Sequence, residues 1–323
     1  MKFRTFIVGL GQIGMGYDYH DNFKETCLTH LNGVLAHDFF ELVGAFDPSI
    51  ERRGEFEAKT SVSSFSELKS GLDETKPDLV IIATPTESHY DILKLIVDHC
   101  QVKAILCEKP ISYSEEEAMS MVNICEENKI QLFVNYQRRY LPSASEIKNK
   151  LFPKQENINF IKGVCWYSKG LIHNGSHFIN LLEYWLGPLV QIEIIEDHCY
   201  WSDKDMEPDA LLSFQKGKVF FLSSRESDFS NYSIELLTSE GKLTYKNGGM
   251  DVYWQKKMED SLFPGYTTLS NQPEMIKDDS VKAQFFVLDQ IAKYILNKNV
   301  TNVCEASTTL NMIKLLSNKK GVK

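Results

Sequence analysis

The sequence predicts a two-domain α/β protein, with a doubly wound parallel sheet first and an α+β domain with an open, mostly antiparallel sheet after it. The chain has 323 residues, and one domain per roughly 150 residues is usual. Up to about residue 136, apolar strands alternate with helix-like stretches at short spacing, which is typical of βαβ units. After about residue 155, turn-bounded strands follow one another directly, which is typical of antiparallel pairing. We therefore predict domains at 1–135 and 136–323.

The composition is that of a globular chain with an acidic charge balance. The apolar fraction is 43%, the charged fraction is 24%, and the formal net charge is −9. These values exclude a disordered or collagen-like chain. The negative charge argues against a nucleic-acid partner, because binding to a phosphate backbone depends on clustered Lys and Arg.

Cysteine usage and hydropathy predict a cytoplasmic protein without a membrane partner. The seven cysteines are widely spaced and form no C-x-x-C pair, so we expect reduced thiols and no zinc ribbon. The first apolar stretch breaks at Gly9 and is too short for a signal peptide. No run reaches the roughly 18 apolar residues of a membrane span. The cysteines are Cys27, Cys100, Cys107, Cys125, Cys165, Cys199 and Cys304.

Strand and helix signals alternate in the N-terminal domain. Ser114 followed by Glu117 is the pattern of a capping box at the start of the last helix. The alternation predicts a parallel sheet with helices on its faces. The predicted strands cover residues 3–8, 41–47, 78–85, 104–110 and 131–136, and the helices cover 30–40, 65–72, 88–100 and 114–129.

The C-terminal domain is predicted to consist of strands around one helix, with two helices at its end. Gly217 and Gly241 are expected at the turns of two hairpins. An open sheet leaves a face or an edge that must be covered. Apolar residues expected to face outward include Ile192, Ile194, Phe220 and Leu222. The predicted strands cover 158–168, 190–201, 210–215, 218–224, 232–239 and 242–247, and the helices cover 176–187, 280–297 and 304–317.

A G-x-G-x-x-G motif follows the first strand and predicts a dinucleotide site. Gly9 makes the tight turn, Gly11 lets the backbone approach a pyrophosphate, and Gly14 allows close packing of helix and strand. Gln12 and Ile13 complete the loop, and the following helix N-terminus is expected to supply N–H donors.

Asp47 is the expected partner of the cofactor ribose, because it ends the second strand. It lies farther from Gly14 than is usual, and the excess reads as an insertion at residues 15–29. A carboxylate there binds the ribose 2′-hydroxyl and repels a 2′-phosphate, which favours NAD over NADP. Arg52 and Arg53 follow closely, so use of both cofactors stays open.

Further motifs along the chain match one family. They are Ala83-Thr84-Pro85 with Ser88-His89-Tyr90, then Cys107-Glu108-Lys109-Pro110, then Asn135 to Arg139, and Gly175-Ser176-His177 with Leu186-Gly187. In this order they resemble the Gfo/Idh/MocA oxidoreductases, the relatives of glucose–fructose oxidoreductase and inositol dehydrogenase. The likeness is strong in residues 1–140 and 170–190 and is only a strand pattern after 190.

The resemblance implies a Rossmann domain and hydride transfer between a nicotinamide and a sugar, nucleotide-sugar or cyclitol carbon. It implies that Lys109 polarises the reacting oxygen and that His177 is the general acid/base. With the glycine loop, it implies a cofactor set of Gly9, Gly11, Gln12, Ile13, Gly14, Asp47, Thr84, Pro85, His89, Glu108 and Lys109. The expected substrate set is Lys109, Asn135, Arg138, His173 and His177.

The chain departs from the family pattern near the histidine. The family's usual aspartate is His173 here, and a second common aspartate is Asn180. We include His173 in the catalytic set, but a surface loop position remains an alternative. His173 and His177 also have a spacing that suits zinc, although no third ligand is evident and we predict no metal. Arg138 is equally consistent with a substrate contact and with a solvated surface position.

The leading function is an NAD-dependent dehydrogenase or reductase acting on CH–OH groups of a small sugar or nucleotide sugar. One alternative is a catalytically silent dinucleotide-binding sensor, which the family also contains. Another is an enzyme that retains NAD and catalyses no net redox change. We expect a homodimer or homotetramer packed through the open sheet.

Overall fold

The computed structural model describes residues 2–153, 161–196, 200–202, 205–296, 300 and 302–317. The chain divides into two compact units. The first contains residues 1–140 and 281–313, and the second contains residues 141–280 and 314–323. The chain therefore returns to the first unit at residue 281 and re-enters the second at residue 314, whereas the sequence predicts one domain for everything after residue 135.

The first unit contains a six-stranded parallel sheet in the order β3-β2-β1-β4-β5-β6. Its central strands are buried on both faces, as expected where helices cover a parallel sheet. Because all strands are parallel, their carboxyl ends meet at one edge, where ligands bind in such sheets. The strands are β1 (Phe3–Val8), β2 (Phe40–Phe46), β3 (Ser64–Phe65), β4 (Leu79–Ile82), β5 (Ala104–Cys107) and β6 (Gln131–Val134).

Three helices of the first unit follow polar residues that cap them. Thr29, Ser49 and Ser114 each accept a backbone N–H with their side chain, at α1, α2 and α5 respectively. Of the predicted capping box, one bond is present: the Ser114 side chain accepts the backbone N–H of Glu117. The helices are α1 (His30–Ala36), α2 (Ile50–Thr60), α3 (Leu68–Thr75), α4 (His89–His99), α5 (Glu115–Glu127), α8 (Ala283–Ile295) and α9 (Ala306–Ser317), of which residues 306–313 belong to this unit.

The second unit contains a mixed sheet and the helices α6 (Pro142–Leu151) and α7 (Ser176–Leu186). The strand order of the sheet is β16-β15-β14-β13-β7-β12-β11-β8, and β17 also pairs with β15. Only the β7–β12 pair is parallel among the described pairings of this sheet, so the predicted fold class is confirmed. A separate short ribbon pairs β9 with β10. The strands are β7 (Ile161–Tyr167), β8 (Leu189–Glu196), β9 (Tyr200–Ser202), β10 (Asp205–Met206), β11 (Asp209–Phe214), β12 (Gly217–Ser223), β13 (Ser233–Leu237), β14 (Gly241–Lys246), β15 (Asp251–Glu259), β16 (Thr267–Leu269) and β17 (Glu274–Ile276).

Helix α7 is apolar and buried around almost its whole circumference. It packs on α6, where the Trp185 indole donates to the Ala144 carbonyl at 3.0 Å and the Tyr184 hydroxyl lies 3.1 Å from that of Ser145. These bonds satisfy the polar ends of two large buried side chains. The second residue of α7 is His177, so the histidine stands at the start of a rigid, buried helix.

Several elements differ from the sequence prediction. Helix α2 was not predicted, because Phe56 is its only buried residue and the segment therefore lacks an apolar period. Strand β15 was not predicted either. Its alternation of buried and exposed residues stops halfway, since its last four residues are all exposed. Gly217 and Gly241 do not form the hairpin turns but are the first residues of the returning strands β12 and β14. Ile192 does not face outward but is buried.

Two remaining expectations concern cysteines and membrane spans. Six cysteines are free, and Cys199 lies outside the described residues, as do residues 158–160 of one predicted strand and residue 297 of one predicted helix. Burial raises the pKa of Cys27 to about 11, so this thiol is held in its neutral form. Within the described part of the chain, no helix is long and apolar enough to cross a membrane.

Candidate functional site

A cleft of about 680 Å³ opens at the carboxyl edge of the parallel sheet. It lies where the chain leaves β1, β2 and β4, which is the expected ligand position for this sheet type. Seven of the predicted cofactor residues line it, and Tyr17, Arg52 and Ser88 are the polar residues among the others. The seven are Gly9, Gly11, Gln12, Ile13, Asp47, Thr84 and Pro85.

The three glycines of the loop have different geometric roles. Gly9 has a φ of +99°, and a Cβ there would lie 2.7 Å from the Ala83 carbonyl oxygen. A Cβ on Gly14 would lie 2.1 Å from the Gly9 carbonyl oxygen, so Gly14 permits the loop to close. A Cβ on Gly11 would meet only Arg52 Nη1, at 3.8 Å. Gly11 therefore keeps open space inside the cleft, as close approach of a pyrophosphate requires.

The segment after the loop differs from the expected α-helix. Residues Gln12–Gly16 form a short π-helical turn, and α1 begins only at His30. The insertion predicted between loop and helix is thus present. Asp18 is buried and closes it by accepting the backbone N–H groups of Leu28 (2.6 Å) and Thr29 (3.1 Å). The insertion therefore fixes the position of Thr29, which caps α1.

Asp47 connects the glycine loop to the end of β2. Its Oδ2 accepts the N–H of Leu10 at 2.8 Å, and its Oδ1 accepts the N–H of Ser49 at 2.9 Å. Arg52 Nη1 lies 3.6 Å from Oδ2, and its side chain is half exposed. Arg53 donates to the backbone carbonyls of Asp47 at 2.8 Å and Pro48 at 3.0 Å. Asp47 thus presents a buried carboxylate beside the half-exposed guanidinium of Arg52.

His89 supports the turn after β4 and does not line the cleft. Its ring nitrogens lie 2.9 Å from the Thr84 carbonyl and 3.1 Å from the Ile111 carbonyl. Burial lowers its pKa, so the neutral ring donates to one of these oxygens at a time. The Ser88 hydroxyl donates to the Thr84 hydroxyl at 2.9 Å, which further fixes this wall of the cleft.

Glu108 and Asn135 belong to a buried hydrogen-bond network at the ends of β5 and β6. Glu108 Oε1 lies 2.8 Å from His30 Nε2 and accepts the Asn135 amide at 2.6 Å. The same amide group lies 3.2 Å from Gln284 Oε1 on α8. Lys109 follows Glu108, is half-buried, and precedes Pro110 through a cis peptide bond. Asn135 therefore uses its amide to support Glu108 in this unit.

His173 and His177 lie in the second unit, on and after the π-helical turn Gly170–Gly175. Asp205 is buried and accepts the backbone N–H groups of Ile172 (2.9 Å) and His173 (2.7 Å). The His173 ring stacks on Trp201, with centroids 4.4 Å apart. Asn180 is buried on the same helix as His177. Within the described ranges, no three His, Cys, Asp or Glu side chains are grouped as a metal would need.

Arg138 is half-buried on the short 3-10 turn Gln137–Tyr140 of the first unit. The sequence analysis did not identify His30, Gln284, Asp205 or Trp201. His30 and Gln284 had no local signal, since they lie far in sequence from Glu108 and Asn135. Asp205 stands in a charged stretch that reads as an ordinary surface turn.

The parallel sheet and the cleft at its carboxyl edge are those of a dinucleotide-binding fold, and a family comparison makes the class more specific. Residues 3–136 match the family model GFO_IDH_MocA, described as "Oxidoreductase family, NAD-binding Rossmann fold". Through this segment, the chain resembles the Gfo/Idh/MocA oxidoreductases, as the sequence motifs predict.

Relatives with assigned activities match only part of the chain. The scyllo-inositol 2-dehydrogenase (NADP(+)) IolU of Bacillus subtilis is 31% identical over 130 residues, covering 40% of this chain and 39% of that protein. The scyllo-inositol 2-dehydrogenase (NAD(+)) of the same organism is 27% identical over 149 residues, covering 46% and 40%. This chain thus spans about two fifths of the length of these relatives.

One solved structure illustrates how far the fold extends. The WlbA dehydrogenase from Bordetella pertussis, in complex with NADH and UDP-GlcNAcA, has a TM-score of 0.73 and 16% identity. The match covers 98% of this chain and 95% of that chain. The likeness shows that the fold of both units is shared with that structure.

Proposed function

We propose that this protein is a nicotinamide-dependent oxidoreductase acting on a hydroxyl-bearing carbon of a cyclitol, sugar or nucleotide sugar. The observation that carries the proposal is the cleft in which the glycine loop, Asp47 and the Thr84-Pro85 turn converge. Gly11 leaves space there for a diphosphate, and Asp47 supplies a carboxylate for a ribose. The residues present therefore fit a dinucleotide.

NAD is the proposed cofactor, with NADP as the weaker alternative. The negative charge of Asp47 opposes a 2′-phosphate, whereas Arg52 beside it would favour one. Asp47 is buried and held by two backbone N–H groups, while Arg52 is half exposed and can turn away. The fixed charge of Asp47 should therefore determine the cofactor preference and favour NAD. The relatives include both an NADP(+) and an NAD(+) enzyme.

The proposed chemistry assigns different tasks to two residues. The bound nicotinamide would accept or supply the hydride. Removal of hydride from a carbinol carbon requires that the hydroxyl proton leave, so a base is needed. We assign proton transfer to His177, because imidazole titrates near neutral pH. Lys109 as a cation would stabilise the developing alkoxide. The names of the two inositol dehydrogenases support a cyclitol or sugar as substrate.

An activity screen tests the proposal. Cyclitols, free sugars and nucleotide sugars are offered with NAD or NADP, and reduction of the nicotinamide is followed by absorbance. Lys109→Ala and His177→Ala should each lose about 10²–10⁴-fold in kcat, the usual contribution of a general acid or base, while cofactor affinity is retained. Lys103→Ala is the matched control, because Lys103 is an exposed residue paired with Asp78.

Three outcomes would contradict the proposal. Turnover near the wild-type rate in His177→Ala would move the base role to His173. NAD released only by denaturation, together with turnover that needs no added cofactor, would favour an enzyme without net redox change. Tight cofactor binding with no turnover on any substrate would favour the sensor alternative.

A further inference from the structure

Glu108 is a buried carboxylate directly before the proposed catalytic lysine. Only 8% of the residue is exposed, and His30 and Gln284 around it are completely buried. A buried carboxylate is costly unless hydrogen bonds and charges compensate it. Here His30 Nε2 at 2.8 Å and the Asn135 amide at 2.6 Å both contact Oε1. The second oxygen, Oε2, accepts the backbone N–H of Lys109 at 3.3 Å.

The charge state of Glu108 follows from these contacts. Burial by itself would raise its pKa, but the hydrogen bonds from His30 and Asn135 and the charges of His30 and Lys109 outweigh burial and lower the pKa. Glu108 therefore stays ionised at neutral pH. Its carboxylate provides a fixed negative charge one residue away from the Lys109 ammonium.

The residues that hold Glu108 come from separate parts of the first unit. His30 begins α1, Asn135 follows β6, and Gln284 lies on α8. Gln284 also donates to Gln137 Oε1 at 3.1 Å, which extends the network to the turn after β6. Close packing of α1 on α8 maintains this arrangement, since a Cβ on Gly33 would lie 2.9 Å from Gln284 Cβ.

We infer that Glu108 is a positioning residue, held as a carboxylate by His30 and Asn135, that stabilises the ammonium form of Lys109 and fixes the backbone that carries it. This inference rests on the proposed function for the use of Lys109, but the geometry of the network does not depend on a substrate. Charge is essential to the role, because a glutamine in place of Glu108 keeps one oxygen that can accept from His30 and Asn135 but has no negative charge to stabilise a cation.

The test measures the chemical reactivity of the Lys109 amine in the full-length protein without substrate or cofactor. Trace acylation at fixed pH, followed by peptide mass spectrometry, reports the fraction of free amine at each lysine. We expect Glu108→Gln to increase the acylation rate of Lys109 by about tenfold, which corresponds to one unit in an ionisation equilibrium. The basic limb of the kcat profile should move to lower pH in the same variant.

Substitutions at His30 test the support of Glu108. His30→Leu removes the donor and should increase the reactivity of Lys109, whereas His30→Gln keeps an N–H near the Nε2 position and should restore the wild-type rate. His37→Asn is the matched control, because His37 follows the same helix and lies 3.9 Å from another carboxylate, Asp289. It should leave Lys109 unchanged. If Glu108→Gln does not fold, the two His30 variants carry the test.

Wild-type reactivity of Lys109 in Glu108→Gln or His30→Leu would overturn the inference, and so would an equal change in His37→Asn. The labelling result is independent of turnover. An inactive wild type with the expected labelling pattern would therefore reject the proposed function and leave this inference standing.

Discussion

The carboxylate of Asp47 accepts the backbone N–H of Leu10 at 2.8 Å, so the acid after β2 holds the residue between the first two glycines of the loop. This bond gives Asp47 a structural role besides its proposed role as a ribose ligand. Removing the carboxylate would change the loop as well as the charge. A substitution that keeps an acceptor is therefore needed to test cofactor preference.

Asp47→Asn should narrow the preference for NAD over NADP. The amide oxygen can still accept the N–H of Leu10, but the negative charge that repels a 2′-phosphate is gone. We expect the ratio of the dissociation constant for NADP to that for NAD to fall about tenfold, equivalent to about 1.4 kcal/mol. Titration of tryptophan fluorescence with each cofactor measures it. Arg52→Gln should act in the opposite direction and weaken NADP more than NAD. Equal or tighter binding of NADP by the wild type would contradict the prediction.

Gly14→Ala and Gly11→Ala should separate folding from binding. At Gly14 the new Cβ would collide with the Gly9 carbonyl oxygen, so we expect a loss of about 1–3 kcal/mol in the free energy of unfolding. At Gly11 the methyl group projects into open cleft, so stability should hold while cofactor affinity falls. Denaturant unfolding and cofactor titration of both variants provide the measurements. Equal stability of the two variants would show that the loop does not close as described.

His173→Asn should raise KM and leave the pH profile of kcat/KM in place. The His173 ring is stacked on Trp201 and its backbone is held by Asp205, which suits a residue that orients substrate. Trp201→Leu removes the stacking partner and should give the same kinetic result with a smaller effect. Steady-state kinetics across the pH range measure both. A shift of the acidic limb in His173→Asn would instead mean that His173 shares the proton with His177.

The protein should form a homodimer or a dimer of dimers through the mixed sheet. Phe220 is half exposed on β12 and stands opposite Val164 and Leu211 on the neighbouring strands, and Trp166 beside Leu222 is 40% exposed. An apolar sheet face of this kind is typical of an interaction surface. Phe220→Glu should therefore shift the assembly toward monomer in sedimentation velocity, whereas Leu262→Glu, on a highly exposed loop, should not. A wild-type monomer at micromolar concentration would reject the prediction.

The sequence by itself determined the parallel sheet, the glycine loop, the acid after β2 and the position of the insertion. These features depend on local signals, such as apolar runs, glycines in fixed order and a strand-ending carboxylate. Helix α2 and strand β15 were missed, because α2 has one buried residue and the last four residues of β15 are exposed, so neither segment has a continuous apolar period. The return of residues 281–313 to the first unit also has no local signal.

Only the tertiary structure decided which residues support the site. His30 reaches Glu108 across 78 positions, and His173 depends on Asp205, 32 positions farther along the chain. Such bonds form because a buried carboxylate must find donors wherever the packing of helices and strands places them. A donor of this kind has no fixed spacing from its acceptor, so its identity is set by the fold and not by any pattern in the sequence.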